Sequence, residues 1–312
     1  MNQLPMLLKR EYWEHRTTFL YLPAIMSMLF IGILLFGSFA IQSGVVNVSI
    51  DSERHQDGNH QTEEFKAEGA SLLEIFGQRI NRFADQSFSE REQVLNQVYY
   101  STSVIMFVVL WFVIVFYFIN CLYDDRKDRS ILFWKSLPVS DTMTVVSKLI
   151  VGLIVVPTIF LAFTMINNVA LLLVSSIAAL GNDIDIFSTL WAPANIIGRW
   201  VTFVGYILFA GIWCLPFFGW LLLISSWAKS APLAWVVGIP LLITIVERIF
   251  TGSGVVRAFF MDHVALRQPV VWLQDGYGSE LSVVSMQTFA SLILGVVLVG
   301  LAIWRRGYAD EL

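Results

Sequence analysis

The placing of charge along this chain leaves little choice of fold. Six runs contain no Asp, Glu, Lys or Arg: Thr17–Ile50, Gln93–Tyr123, Leu149–Asn182, Trp200–Ala228, Ser230–Val246 and Leu281–Trp304. A helix rising about 1.5 Å per residue needs about 20 mostly apolar residues to cross ~30 Å of hydrocarbon. Five of the runs are longer than that. The remaining one, Ser230–Val246, carries Pro232, Gly238 and Pro240, and it reaches Ile249 and Phe250 if Glu247 and Arg248 lie at the interface. Of the 312 residues, 56% are hydrophobic and 14% charged, whereas soluble domains run at about 45–50% and about 25%. The expected fold class is therefore all-α: a polytopic membrane protein with six transmembrane helices, at 17–41, 99–123, 148–178, 199–227, 232–250 and 283–304. The apolar part of the first span is too long for a cleaved signal of about 7–15 residues, and charge precedes it, so it reads as an anchor that stays.

Lysine and arginine orient the spans. With the N-terminus inside, eleven of the 20 basic residues fall on the cytoplasmic side, in pieces about half as long in total as the external ones. Basic density is thus higher inside. Arg305 and Arg306, in the tail at 305–312, then place the C-terminus on the same side as the N-terminus.

The segments between spans differ in character. At 1–16, Leu4, Leu7 and Leu8 lie on one side and Lys9, Arg10, Glu11, Glu14 and Arg16 elsewhere, the pattern of a short interfacial helix with Tyr12 and Trp13 at headgroup depth. The first external loop, 42–98, is acidic and regains apolar residues at Phe65, Leu72, Leu73, Phe76, Ile80 and Phe83, which predicts a small external cap containing one amphipathic helix. His55, Asp57 and His60 within it read as solvated loop, not as metal ligands. A second external loop spans 179–198, and a short cytoplasmic turn spans 228–231. The stretch 251–282 offers Val255, Phe259, Phe260, Val264 and Leu266 as short helices dipping into the outer interface, with Phe259 and Phe260 as a candidate outer gate. Such backbone is tolerated at membrane depth only when packed in protein or lining a cavity.

Several chemistries are excluded. There is no basic stripe for nucleic acid. Cys121 and Cys214 sit in apolar runs, without metal-ligand or disulfide spacing. No phosphate-binding G-x-x-x-x-G-K-[ST], H-E-x-x-H or G-x-S-x-G occurs, so no catalytic residue, cofactor site or metal site is assigned. Ionisable residues are missing from the spans away from their ends, which argues against an ion-coupled carrier. Energy is expected from a partner.

The exception to the greasiness is LYDDRKDRSILFWKSLPVSDTMTVVSK, Leu122–Lys148, whose core forms the cytoplasmic loop 124–147. Asp124–Arg129 ends the second span. Ile131, Leu132, Phe133 and Trp134 form a compact apolar face. Pro138 stops that helix, and Ser140 or Asp141 caps the next, which runs into the third span. A short helix with an aromatic face and charged edges suits docking into a groove of another protein.

This segment resembles the internal loop of ABC type-2 permeases, in which an acidic–basic run precedes an LPVS-like turn and a lysine opens the next span. REYWEHR before the first span is similar to the interfacial helix of that family, and six spans with external helices between the last two complete the pattern. The resemblance implies a permease of an ATP-driven exporter in the bacterial inner membrane, with both termini cytoplasmic. It implies a homodimer working with two copies of a separate ATPase subunit, which would carry the ATP and Mg. On that resemblance the coupling helix docks the ATPase through Ile131, Phe133, Trp134, Lys135 and Leu137. Arg126, Lys127 and Arg129 are rim contacts or inner-leaflet anchors, with Glu11 and Glu14 as their partners. Two other readings fit the same spans: a transmitter whose external cap controls a periplasmic partner without moving a substrate, and an ATP-independent carrier.

Overall fold

The computed structural model describes residues 3–43, 80–129, 139–180, 184–265 and 286–308. Among these residues the regular structure is entirely helical. Helix α1 (Gln3–Glu14) leads through a π-turn at Thr17–Tyr21 into α2 (Leu22–Ser43). Then follow α3 (Phe88–Lys127), α4 (Asp141–Ile150), a π-turn at Val151–Val155 and α5 (Val156–Ala179). Beyond a π-turn at Phe187–Trp191 come α6 (Ile196–Trp213), α7 (Leu215–Trp227), α8 (Pro232–Phe250), α9 (Val255–Val264) and α10 (Met286–Gly307).

Among the described residues, six helical segments are long and apolar enough to cross a membrane: Thr17–Phe39, Phe88–Lys127, Asp141–Ile177, Phe187–Trp213, Pro232–Phe250 and Met286–Gly307. The chain is thus a multi-pass α-helical membrane protein. Helix ends follow local chemistry. Ser140 is extended (φ −74°, ψ 150°) and its hydroxyl accepts from the Met143 N–H at 3.1 Å, the N-cap of α4. At the start of α3, Ser87 and Glu90 form a reciprocal capping box, Ser87 N–H donating to Glu90 Oε2 at 2.8 Å and Glu90 N–H to Ser87 Oγ at 3.4 Å. The helix that carries the second span, α3, therefore begins at Phe88, within the stretch expected to belong to the cap.

One expectation is corrected. The fourth span, expected as a single helix over 199–227, is broken at Cys214 (φ −86°, ψ 3°). Pro216 is the reason, since it supplies no N–H for the helical ladder and its ring crowds the preceding turn. The membrane-length segment ends at Trp213, and α7 is a shorter apolar helix buried along much of its length. Between α1 and the first span only His15 is a turn, and Arg16 and Leu22 flank the π-turn with right-handed helical backbone.

The chain divides into two compact units. The first comprises residues 1–23, 105–162 and 197–312, and the second 24–104 and 163–196. In the second, Tyr99, Leu172, Ala179, Leu190 and Ala194 form a buried cluster on which Ile80 and Phe83 pack, and the Trp191 indole N–H donates to Ser176 Oγ at 3.0 Å. The other residues expected in the cap helix lie outside the described residues, as do His55, Asp57 and His60.

In the first unit α7 lies directly against α10. A Cβ on Gly219 would fall 3.1 Å from the Gly295 carbonyl oxygen, and one on Gly295 would fall 2.9 Å from the Leu215 carbonyl carbon. Small residues permit this approach, the usual device where helices associate within lipid.

Candidate functional site

The polar residues of the first unit converge where α1, the end of α3, α4 and the end of α10 meet. Glu11 is 1% exposed. One of its oxygens accepts from Lys148 Nζ at 2.9 Å and the other from the Tyr117 hydroxyl at 3.0 Å. Asp125, also buried, is shared by three cations: Arg306 Nη1 at 3.2 Å, Arg10 Nη2 at 3.4 Å and Lys148 Nζ at 3.5 Å. Arg306 Nε reaches Asp141 Oδ1 at 3.2 Å, and Arg10 Nε reaches Glu14 Oε2 at 3.3 Å.

Local structure explains these positions. On α1, Leu7 and Glu11 are four residues apart and share the buried face, so a helix anchored by leucine carries a carboxylate inward. Lys148 lies on the last turn of α4, on a face that also buries Thr144 and Val145. Arg306 ends a stripe of α10 that buries Thr288, Ser291, Gly295, Val299 and Ala302 at intervals of three or four residues.

Burial raises the Glu11 pKa, but the Lys148 ammonium, helped by Arg10 and the Tyr117 hydroxyl, outweighs it and holds the carboxyl below its ordinary 4.5. Glu11 therefore stays ionised, and its contribution to stability is present above pH 4.5 and is lost as the pH falls below it. In chemical terms the arrangement is a structural tie. Each buried charge of the network faces an opposite one.

Expected site residues fall in several places. Glu11 and Glu14 are in the network, but their partners are Lys148 and Arg10, not the basic residues of the 126–129 run. Arg126 is not a rim contact. It is buried and donates to the carbonyls of Ser225 at 2.9 Å and Ala228 at 2.6 Å, closing the C-terminal end of α7. Ser225 returns the contact, its hydroxyl accepting from the Leu122 and Tyr123 N–H groups, each at 3.0 Å. Lys127 and Arg129 are exposed, and Arg129 takes a left-handed turn conformation (φ 58°) where α3 ends. Ile131, Phe133, Trp134, Lys135 and Leu137 lie outside the described residues.

Phe259 and Phe260 are on α9, half-buried. The Phe259 ring lies 4.1 Å from that of His263, and the Phe260 ring 6.3 Å from that of Trp220. Glu247 holds this helix in place: its carboxylate accepts from the N–H groups of Val255 at 2.8 Å and Val256 at 3.1 Å, standing in for the N-cap that Gly254 lacks. His263 is buried, stacked on Trp213 at 4.9 Å, with Nδ1 2.7 Å from the Phe259 carbonyl oxygen and Nε2 2.9 Å from Ser291 Oγ. The carbonyl only accepts, so Nδ1 carries the proton and the neutral Nε2 accepts from the serine.

Burial pushes the His263 pKa below its ordinary 6.5, against a smaller opposing effect of the Phe259 carbonyl. The unfolded chain then binds more protons than the folded one below pH 6.5, so stability falls on acidification through that window. Wild type is expected to lose more thermal stability than His263→Gln between about pH 7.5 and about pH 5.5. Equal losses in melting scans of the two proteins would remove His263 as the cause.

No family model matches the chain, and no curated protein or solved structure matches it. The class defined by its own fold is therefore the multi-pass α-helical membrane protein, with a buried charge network tying four helices at one set of helix ends.

Proposed function

We propose that this chain is the membrane-spanning permease subunit of an ATP-driven exporter of the ABC type-2 kind. A separate ATPase subunit, in two copies, docks on the segment between α3 and α4 and supplies the energy. The observation that carries this reading is the anchorage of that segment. Upstream, Asp125 and Arg126 are tied to α1, α10 and α7. Downstream, Asp141 and Lys148 are tied to α10 and α1. A push on 130–138 is thus delivered to several helices at once, as a coupling element requires. A passive loop needs no such roots, and a buried network is costly to assemble unless it sets geometry.

The pairing of two copies is supported by α8. Only 6% of its most apolar window is buried within the chain, and Leu233, Trp235, Leu242, Ile245 and Phe250 all stand exposed. On this reading both termini are cytoplasmic, the membrane is the bacterial inner membrane, and ATP and Mg belong to the partner.

The test is gentle purification of the tagged chain from its native membrane. An ATPase subunit is expected to co-purify with wild type. Its recovery should drop by about tenfold or more in Phe133→Ala/Trp134→Ala, since buried aromatic anchors are worth about 2 kcal/mol or more each at an interface. Membrane insertion should not change. Undiminished recovery of the ATPase with the double variant would refute the docking assignment.

A further inference from the structure

The first unit contains a half-open groove between α3, the π-turn with the start of α5, and α6 continuing into α7. About 450 Å³ of space outside the atoms lies within it and its open mouth. Its floor is aromatic and mutually braced: Trp111 lies 5.5 Å from Phe218, and Phe107 lies 5.6 Å from Tyr206, ring centre to ring centre. Among the described residues, no charged side chain lines it.

The groove exists because two backbones depart from regular helix around it. The third membrane-length segment widens into a π-turn at Val151–Val155 and then meets Pro157, which lines the groove. The fourth breaks at Cys214, between the lining residues Gly211 and Phe218. Gly211 itself withholds a side chain, and a Cβ there would touch only Leu153 Cδ2, at an ordinary 3.9 Å.

What faces the mouth is set by its neighbours. Ile154, Leu208 and Ile212, each next in sequence to a lining residue, are exposed apolar side chains on membrane-length segments. In hydrocarbon neither water nor a charged group is a favourable occupant of an apolar recess. An alkyl chain, by contrast, restores dispersion contacts that the walls would otherwise forfeit.

We propose that this groove is a binding site for one acyl chain of a membrane lipid. The chain lies across the aromatic floor, with Gly211 as the residue that keeps the channel open. The assignment rests on the groove alone and does not depend on an ATPase partner, so each of the two readings can fail without the other.

The experiment uses the full chain in lipid nanodiscs doped with phosphatidylcholine carrying a diazirine on one acyl chain, with crosslinks mapped by peptide mass spectrometry. In wild type, crosslinks at Phe107, Trp111 and Tyr206 should saturate as the probe fraction rises. At Ile33 and Phe36, exposed on α2, they should rise in proportion to it. Gly211→Leu, which fills the groove, should lower labelling of the floor by about tenfold, the loss expected from displacing a few buried methylenes, with no change on α2. Ile207→Phe narrows the groove from another helix position and should act the same way, so the result does not hang on the folding of one variant. Floor labelling that tracks probe fraction and survives both variants would show annular lipid only and overturn the proposal.

Discussion

Lys148→Met should cost most of the folded protein. Lys148 is 1% exposed, and it bridges Glu11 at 2.9 Å and Asp125 at 3.5 Å. Methionine keeps the length of the side chain but leaves the two carboxylates to Arg10, Arg306 and the Tyr117 hydroxyl. Removing one partner of a buried pair costs about 3–5 kcal/mol, a large part of the roughly 5–15 kcal/mol that holds an ordinary domain together. The expected readout is a collapse of the monodisperse peak on fluorescence-detected size exclusion in detergent, with a much lower melting temperature in what remains.

The cause is separable from lost packing. Glu11→Gln added to Lys148→Met removes the carboxylate left without its lysine, and the pair should recover part of the loss, an interaction of about 1–3 kcal/mol. Strict additivity of the two changes would show that the lysine is not compensating Glu11. Glu14→Gln is the contrasting case. Its partner is Arg10 at 3.3 Å, but Glu14 is 50% exposed, and solvent screening holds such a pair to about 1 kcal/mol or less.

These interactions also show where the sequence stops being readable. The six spans are legible because a bilayer demands an uninterrupted apolar length, and that demand is written locally. Ser140 is legible as a cap for the same reason: its partner is the Met143 N–H, three residues on. The network is not legible, because its contacts join residues far apart in sequence, Glu11 to Lys148 across 137 residues and Asp125 to Arg306 across 181. Periodicity reports which face of a helix is apolar. It does not report that Glu11, on the same face as Leu7, will meet a lysine.

Arg126 illustrates a related limit. In the run Asp124–Arg129 it looks like one more surface charge, yet the carbonyls that α7 leaves at Ser225 and Ala228 draw it inward. The break at Cys214 had a visible signal in Pro216. An apolar run of membrane length masks it, because greasiness measures burial and not helical continuity.

Gly295→Ala is the second large effect, and it tests packing without touching charge. The added methyl would sit 2.6 Å from Leu215 Cγ and 2.9 Å from the Leu215 carbonyl carbon. A side chain can rotate away; a carbonyl carbon cannot, so α7 and α10 must part. Overpacking of this kind costs about 1–3 kcal/mol. Gly300→Ala, on the same helix with nothing within 4 Å of the new methyl, should be neutral or gain up to about 1 kcal/mol of helix propensity. The two substitutions are chemically identical, so opposite signs in thermal unfolding would isolate the contact; equal effects would mean that α7 does not press on α10 there. Parting the helices also has a remote consequence. Arg306 lies three turns further along the stripe that begins at Thr288, and its reach to Asp125 and Asp141 at 3.2 Å depends on the register of α10. Gly295→Ala and Arg306→Met should therefore combine to less than the sum of their separate costs, because the first already loosens what the second removes.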